Sequence, residues 1–177
     1  KIAQRGFLVG TGSQYYDPYG CELQGALMVH FEGHQITDFE GLQKDVAAAK
    51  AHYAHVAEIF DIDKTFVHSW HAGIHPGCEY KQSASASFER WSGGAFGNPR
   101  LLHFHTCGAY APGEISLNVL DPTITIDGVK VWDNGRLYPE RIEGGAEIFD
   151  EFPQIRDVFE NPALNCGQGS DGQLSFK

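Results

Sequence analysis

The chain has 177 residues, 42% of them hydrophobic and 20% charged, and a formal net charge of −10. That length suits one domain with a sizeable core, and the acidic balance argues against nucleic acid or anionic membrane as the main partner, because both select a basic surface. No apolar run nears the roughly 20 residues of a membrane span, and no secretory pattern stands at the start. That start is Lys1, as expected of a processed or trimmed chain or a piece of something longer. Cys21, Cys78, Cys107 and Cys166 lie far apart with no C-x-x-C pair, which points to reduced thiols in a cytoplasmic protein rather than a zinc ribbon or disulfide framework.

Residues 1–20 read as an irregular lead-in holding one short strand, Phe7-Leu8-Val9, followed by Gly10, Gly12, Asp17-Pro18 and Gly20. Residues 21–140 form the expected core and 141–177 a C-terminal extension. Glu22 to Phe31 predicts a strand and His34 to Phe39 a second, turned at Glu32-Gly33, with His30 and His34 exposed. Gly41 to Phe60 is the strongest helix: Leu42, Val46, Ala49, Tyr53, Val56 and Phe60 recur at three- and four-residue steps. His52 and His55 sit on it as a partly exposed pair. Thr65 to Trp70 predicts a strand leading to His71 and a turn at Pro76-Gly77. Lys81 to Asn98, rich in Ser, Ala and Gly around Phe88, Trp91 and Phe96, predicts a surface excursion, with one helical turn and a lid-like role. Glu147 to Phe159 has helical spacing interrupted by Pro153, and Gly167 to Lys177 reads as a docked or frayed tail.

The chemistry concentrates between Leu101 and Pro139. His103 and His105 are two apart, so on a strand both imidazoles share one face. A Gly/Pro turn follows, then Glu114, an apolar segment through Val119, and a hairpin turning at Asp127-Gly128. Two histidines and a carboxylate match a facial metal set with open positions, and His71 at a strand exit adds a third imidazole. Two other readings stay open: one histidine of the pair binds metal while its neighbour supports it, or the pair is an inward hydrogen-bonded cluster without metal. Tyr110 and Glu79 are candidates for proton transfer or substrate contact.

Gly73-Ile74-His75-Pro76 after a strand, and the segment from Asp127-Gly128 to Gly135, resemble the C-terminal domain of the aminopeptidase T-like metalloproteins, a family that includes 2,5-dihydroxypyridine 5,6-dioxygenase. The similarity spans residues 10 to 140. The resemblance implies that His71 stands where the aminopeptidases have a glutamate ligand and the dioxygenase a histidine. It places His103 and His105 around an aminopeptidase ligand histidine, and Glu114 at the family's second histidine. Ser116 stands where the family has a ligand aspartate. The family set is therefore not preserved: the site is rebuilt from His71, His103, His105 and Glu114, or metal is lost and a cleft remains. The family's N-terminal domain is missing here, which implies a standalone catalytic domain, half of a split protein, or a binding relative.

The expected fold is α+β, mainly antiparallel sheet with one long helix packed across it and a short C-terminal helix. The expected function is a metal-dependent enzyme resembling mononuclear non-haem iron dioxygenases, acting on a small organic or peptide-like substrate. The cofactor is a divalent ion, iron(II) favoured and zinc possible. The alternatives are a metal-free peptide- or small-molecule-binding module, with Phe88, Trp91 and Phe96 as its contact surface, and an aminopeptidase-like metallohydrolase. Exposed edges of a small sheet invite pairing, so a homo-oligomer is expected through Thr123 to Trp132 or through Phe88 to Phe96.

Overall fold

In chain order the strands are Ile2–Gln4 (β1), Phe7–Val9 (β2), Gly20–Glu22 (β3), Leu27–Glu32 (β4), Gln35–Glu40 (β5), Val67–Ala72 (β6), Leu101–Cys107 (β7), Glu114–Leu120 (β8), Ile124–Ile126 (β9), Val129–Asp133 (β10) and Arg136–Leu137 (β11). The helices are Gln43–Phe60 (α1), Phe88–Ala95 (α2), Gly145–Glu151 (α3) and Arg156–Glu160 (α4). This is a computed structural model in which residues 1–10 and 15–175 are described. Gly12 of the expected lead-in and the last two residues of the expected tail lie outside that set.

The fold is α+β and its strand pairings are antiparallel. A five-stranded sheet in the order β3-β2-β8-β7-β6 is joined by two three-stranded sheets, β1-β4-β5 and β11-β10-β9. Strand β2 is an interior strand of the large sheet, so residues 7–9 build the core although their sequence neighbourhood reads as a lead-in. The expected Glu22–Phe31 strand divides into β3 and β4, because Asp45 draws the intervening backbone away: its carboxylate accepts from Gln24 N at 3.1 Å and Gly25 N at 2.8 Å.

The large sheet is covered on both faces. One face carries Leu8, Leu102, Phe104, Ile115, Leu117 and Val119 against Ala49, Tyr53 and Val56 of α1 and Leu27, Val29 and Ile36 of the small sheet. Each side chain fully buried there contributes roughly 1.5–3 kcal/mol. Tyr53 Oη meets Thr106 Oγ1 at 2.5 Å, tying the helix to β7. The other face carries Phe7, Val9 and Leu101 against Phe88, Trp91 and Ala95 of α2, with Cys166 and Leu174 of the C-terminal segment. The Lys81–Asn98 stretch is therefore no surface excursion: it holds an eight-residue helix whose apolar side is core. The tail is docked, with Gly167 N donating to Tyr80 O at 3.0 Å. Trp132 Nε1 donates to Gly73 O at 3.0 Å and pins the third sheet beside the exit of β6.

Of the two helical histidines, His55 is half-buried as expected and His52 is not. His52 is 5% exposed and its Nε2 has no hydrogen-bond partner among the described residues. Burial, with a smaller effect of His55, pushes its imidazole down to about 4 from an ordinary 6.5. The unfolded chain takes up this proton near 6.5 and the native state only near 4, so stability from a neutral His52 is complete above 6.5 and lost as pH falls towards 4. The loss is on the order of 3 kcal/mol. Urea unfolding across that window should show the decline, and His52→Leu should make it shallower; an unchanged slope would remove His52 as its cause.

Candidate metal centre

Strand parity places the site. In β7, Leu102, Phe104 and Thr106 point toward α1, which leaves His103 and His105 on the α2 side. Antiparallel register sets Asn118 opposite His103, Ser116 opposite His105 and Glu114 opposite Cys107. All three β8 residues thus line the same face as the histidines. On the other flank His71 pairs with His103 and Ser69 with His105. A register shift between Val67 and Ser69 makes this possible. Val67 belongs to the α1-side core, and regular alternation would put His71 there with it; one extra residue in the strand reverses the parity. Trp70 then faces the core side and stacks on Phe104 at 4.4 Å.

The result is a three-histidine group, with one ligand atom from each of His71, His103 and His105 lying within 4.8 Å of the others. Ring centroids are 4.7 Å apart for His71–His103, 4.6 Å for His71–His105 and 5.1 Å for His103–His105. Nitrogens around one tetrahedral ion with bonds of about 2.0–2.1 Å are about 3.3 Å apart, so modest side-chain rotation closes the set. Phe96 stacks on the far side of His103 at 4.1 Å. His71 is exposed and forms the open side, its Nε2 2.7 Å from Ser69 Oγ.

Two observations fit the group to a cation. His103 Nδ1 and His105 Nε2 are buried without a hydrogen-bond partner among the described residues, a condition that costs about 1–3 kcal/mol per group unless something binds there. Burial pushes His103 down to about 3, helped by His105 and His71, and pushes His105 down to about 4, helped by His71 and His68. Both imidazoles are therefore neutral at physiological pH, the form in which a ring nitrogen donates its lone pair.

Glu114 occupies a different place from the one expected. Among the described residues the group that could share an ion is the three histidines, and Glu114 stands behind it, Oε1 3.2 Å from His105 Nδ1. A carboxylate accepting from Nδ1 fixes the tautomer that leaves Nε2 a lone-pair donor. Tyr110 and Glu79 do not join the group. Tyr110 lies in the β7–β8 connection and is 82% exposed. Glu79 is held between Asn165 Nδ2 at 2.7 Å and Lys81 Nζ at 3.2 Å. His75 Nδ1 accepts from Gly77 N at 3.1 Å, the turn-shaping role its position suggests.

Asn118 and Ser116 line the histidine face without having been expected there. A signal for them exists: Glu114, Ser116 and Asn118 alternate with Ile115, Leu117 and Val119 in the Glu114–Leu120 strand. Polar residues at every second position mark one face of a strand, and here that face is buried. No family model, curated protein or solved structure matches the chain.

Proposed function

We propose that the chain is a metal-dependent enzyme whose ion is held by His71, His103 and His105, with Glu114 orienting His105. The observation that carries this reading is a three-imidazole cluster with two buried ring nitrogens that have no hydrogen-bond partner among the described residues. Imidazole suits both iron(II) and zinc(II), and the resemblance to the dioxygenase branch favours iron(II). Once bound, the ion would polarise a substrate oxygen and, as iron(II), support oxygenase chemistry. The protein's part is to keep two imidazoles neutral by burial, to exclude water with Phe96, and to leave the His71 side open to a small organic or peptide-like substrate. The metal-free binding reading loses the contact surface expected for it, because Phe88 and Trp91 are core residues. The test is metal content after anaerobic reconstitution with iron(II), and separately with zinc(II). About one equivalent of either supports the reading, and less than about a tenth of an equivalent of both ends it.

We also propose a homo-oligomer. With α2 turned inward, its contact is the β9–β10 hairpin, where Ile126 and Val129 are exposed. Light scattering should give at least a dimer mass at tens of micromolar protein, and Val129→Lys should lower it. A monomer in the wild type would count decisively against assembly.

A further inference from the structure

Beyond the histidines, the same face holds two more orphaned groups. Among the described residues, Ser116, 0% exposed, finds no partner for its hydroxyl, and Asn118, 1% exposed, finds none for its amide nitrogen or its amide oxygen. An asparagine amide buried with neither its donor nor its acceptor matched is rare in folded proteins. Register puts these residues beside His105 and His103, one strand further from the open His71 edge. From that edge the register runs His71, then His103 and His105, then Asn118 and Ser116.

We propose that Ser116 and Asn118 are the substrate-anchoring wall of the site, taking a small molecule that gives one oxygen to the ion and carries an amide-like donor and acceptor pair beside it. This rests on the metal reading above. The chemistry follows from the groups present. Neither residue is charged, so the head they hold is polar rather than ionic. Asn118 offers one donor group and one acceptor side by side, the complement of an amide or hydroxamate edge. Adjacent strands are about 4.8 Å apart, so the ion-binding oxygen and the anchored head belong to neighbouring atoms of one small molecule. Phe96, stacked on His103, supplies a flat apolar wall against which a planar group can lie.

The experiment compares wild type, Asn118→Leu and Ser116→Ala in three readouts: melting of metal-free protein, cobalt(II) affinity, and acetohydroxamate affinity of the cobalt-loaded protein, followed by its visible spectrum. Polar groups kept unpaired for a ligand burden the empty protein. Asn118→Leu should therefore raise the metal-free melting temperature by about 2–4 °C. Cobalt affinity should hold within about threefold, because neither residue belongs to the three-histidine group, and acetohydroxamate should weaken by about tenfold or more. Ser116→Ala should act in the same direction and decides the matter if Asn118→Leu does not fold. Unchanged acetohydroxamate affinity in the folded variants, or a lowered metal-free melting temperature, overturns the anchor while leaving the metal centre standing. A wild type that takes up no cobalt overturns the metal reading and the anchor together.

Discussion

His105→Ala should abolish metal retention while leaving a folded protein. The substitution removes one of three imidazoles from a site open to solvent on its His71 side, and two remaining donors do not hold a divalent ion against water. The fold should survive because both cores form without the ion: the α1 face rests on Tyr53, Val56, Phe104 and Leu117, and the α2 face on Phe7, Trp91 and Leu101. His103→Ala should behave alike. Glu114→Gln separates orienting from ligating. A carboxylate that acts through His105 Nδ1 should, when neutralised, weaken metal affinity by about 10–100-fold without abolishing it. Metal stoichiometry after dialysis, with titration for affinity, reads all three variants. If Glu114→Gln lost the ion as completely as His105→Ala, Glu114 would be a ligand and the assignment of roles would be reversed.

Trp91→Ala should be the most damaging single truncation on the α2 face, at about 3–5 kcal/mol. Trp91 is 0% exposed and meets Phe7 edge-on at 5.4 Å and Phe96 at 5.0 Å. Its Nε1 donates to Cys166 O at 2.8 Å, and Gly167 lets the backbone lie against the indole. The change leaves a cavity and an unpaired carbonyl, and it frees Phe96 from the ring that positions it over His103. Thermal melting should fall by about 10 °C, and Trp91→Phe should lose less because most of the contact area remains. A loss below about 1 kcal/mol for Trp91→Ala would mean that the cover on the histidine face is not cooperative with the sheet.

Some of this was legible because local rules decided it. The Leu42–Phe60 periodicity gives α1 within a turn of its observed start, and Asp127-Gly128 gives a hairpin whose turn has φ of 48° and 83° at these residues. Other features depended on distant partners. The break between β3 and β4 is made by Asp45, some twenty residues on, and no local pattern announces it. The small residues around Trp91 look like surface chain until the C-terminal segment closes over them. His52 reads as half-exposed beside a core stripe, and it is buried.

Local pattern alone is enough to put His103 and His105 on one face, to open the next strand with a carboxylate, and to predict an antiparallel sheet with one long helix to carry them. Those facts follow from the two-residue period of a strand and the 3.6-residue period of a helix, which need no knowledge of neighbours. Which histidines meet depends on how the strands pair. The register shift in β6 turns His71 to the His103 face, and the β7–β8 register sets Glu114 behind His105 and aligns Ser116 and Asn118 beside the pair. Register and bulges are fixed by packing between strands far apart in the chain, so a site assembled across three strands is written in pairings that no single segment contains.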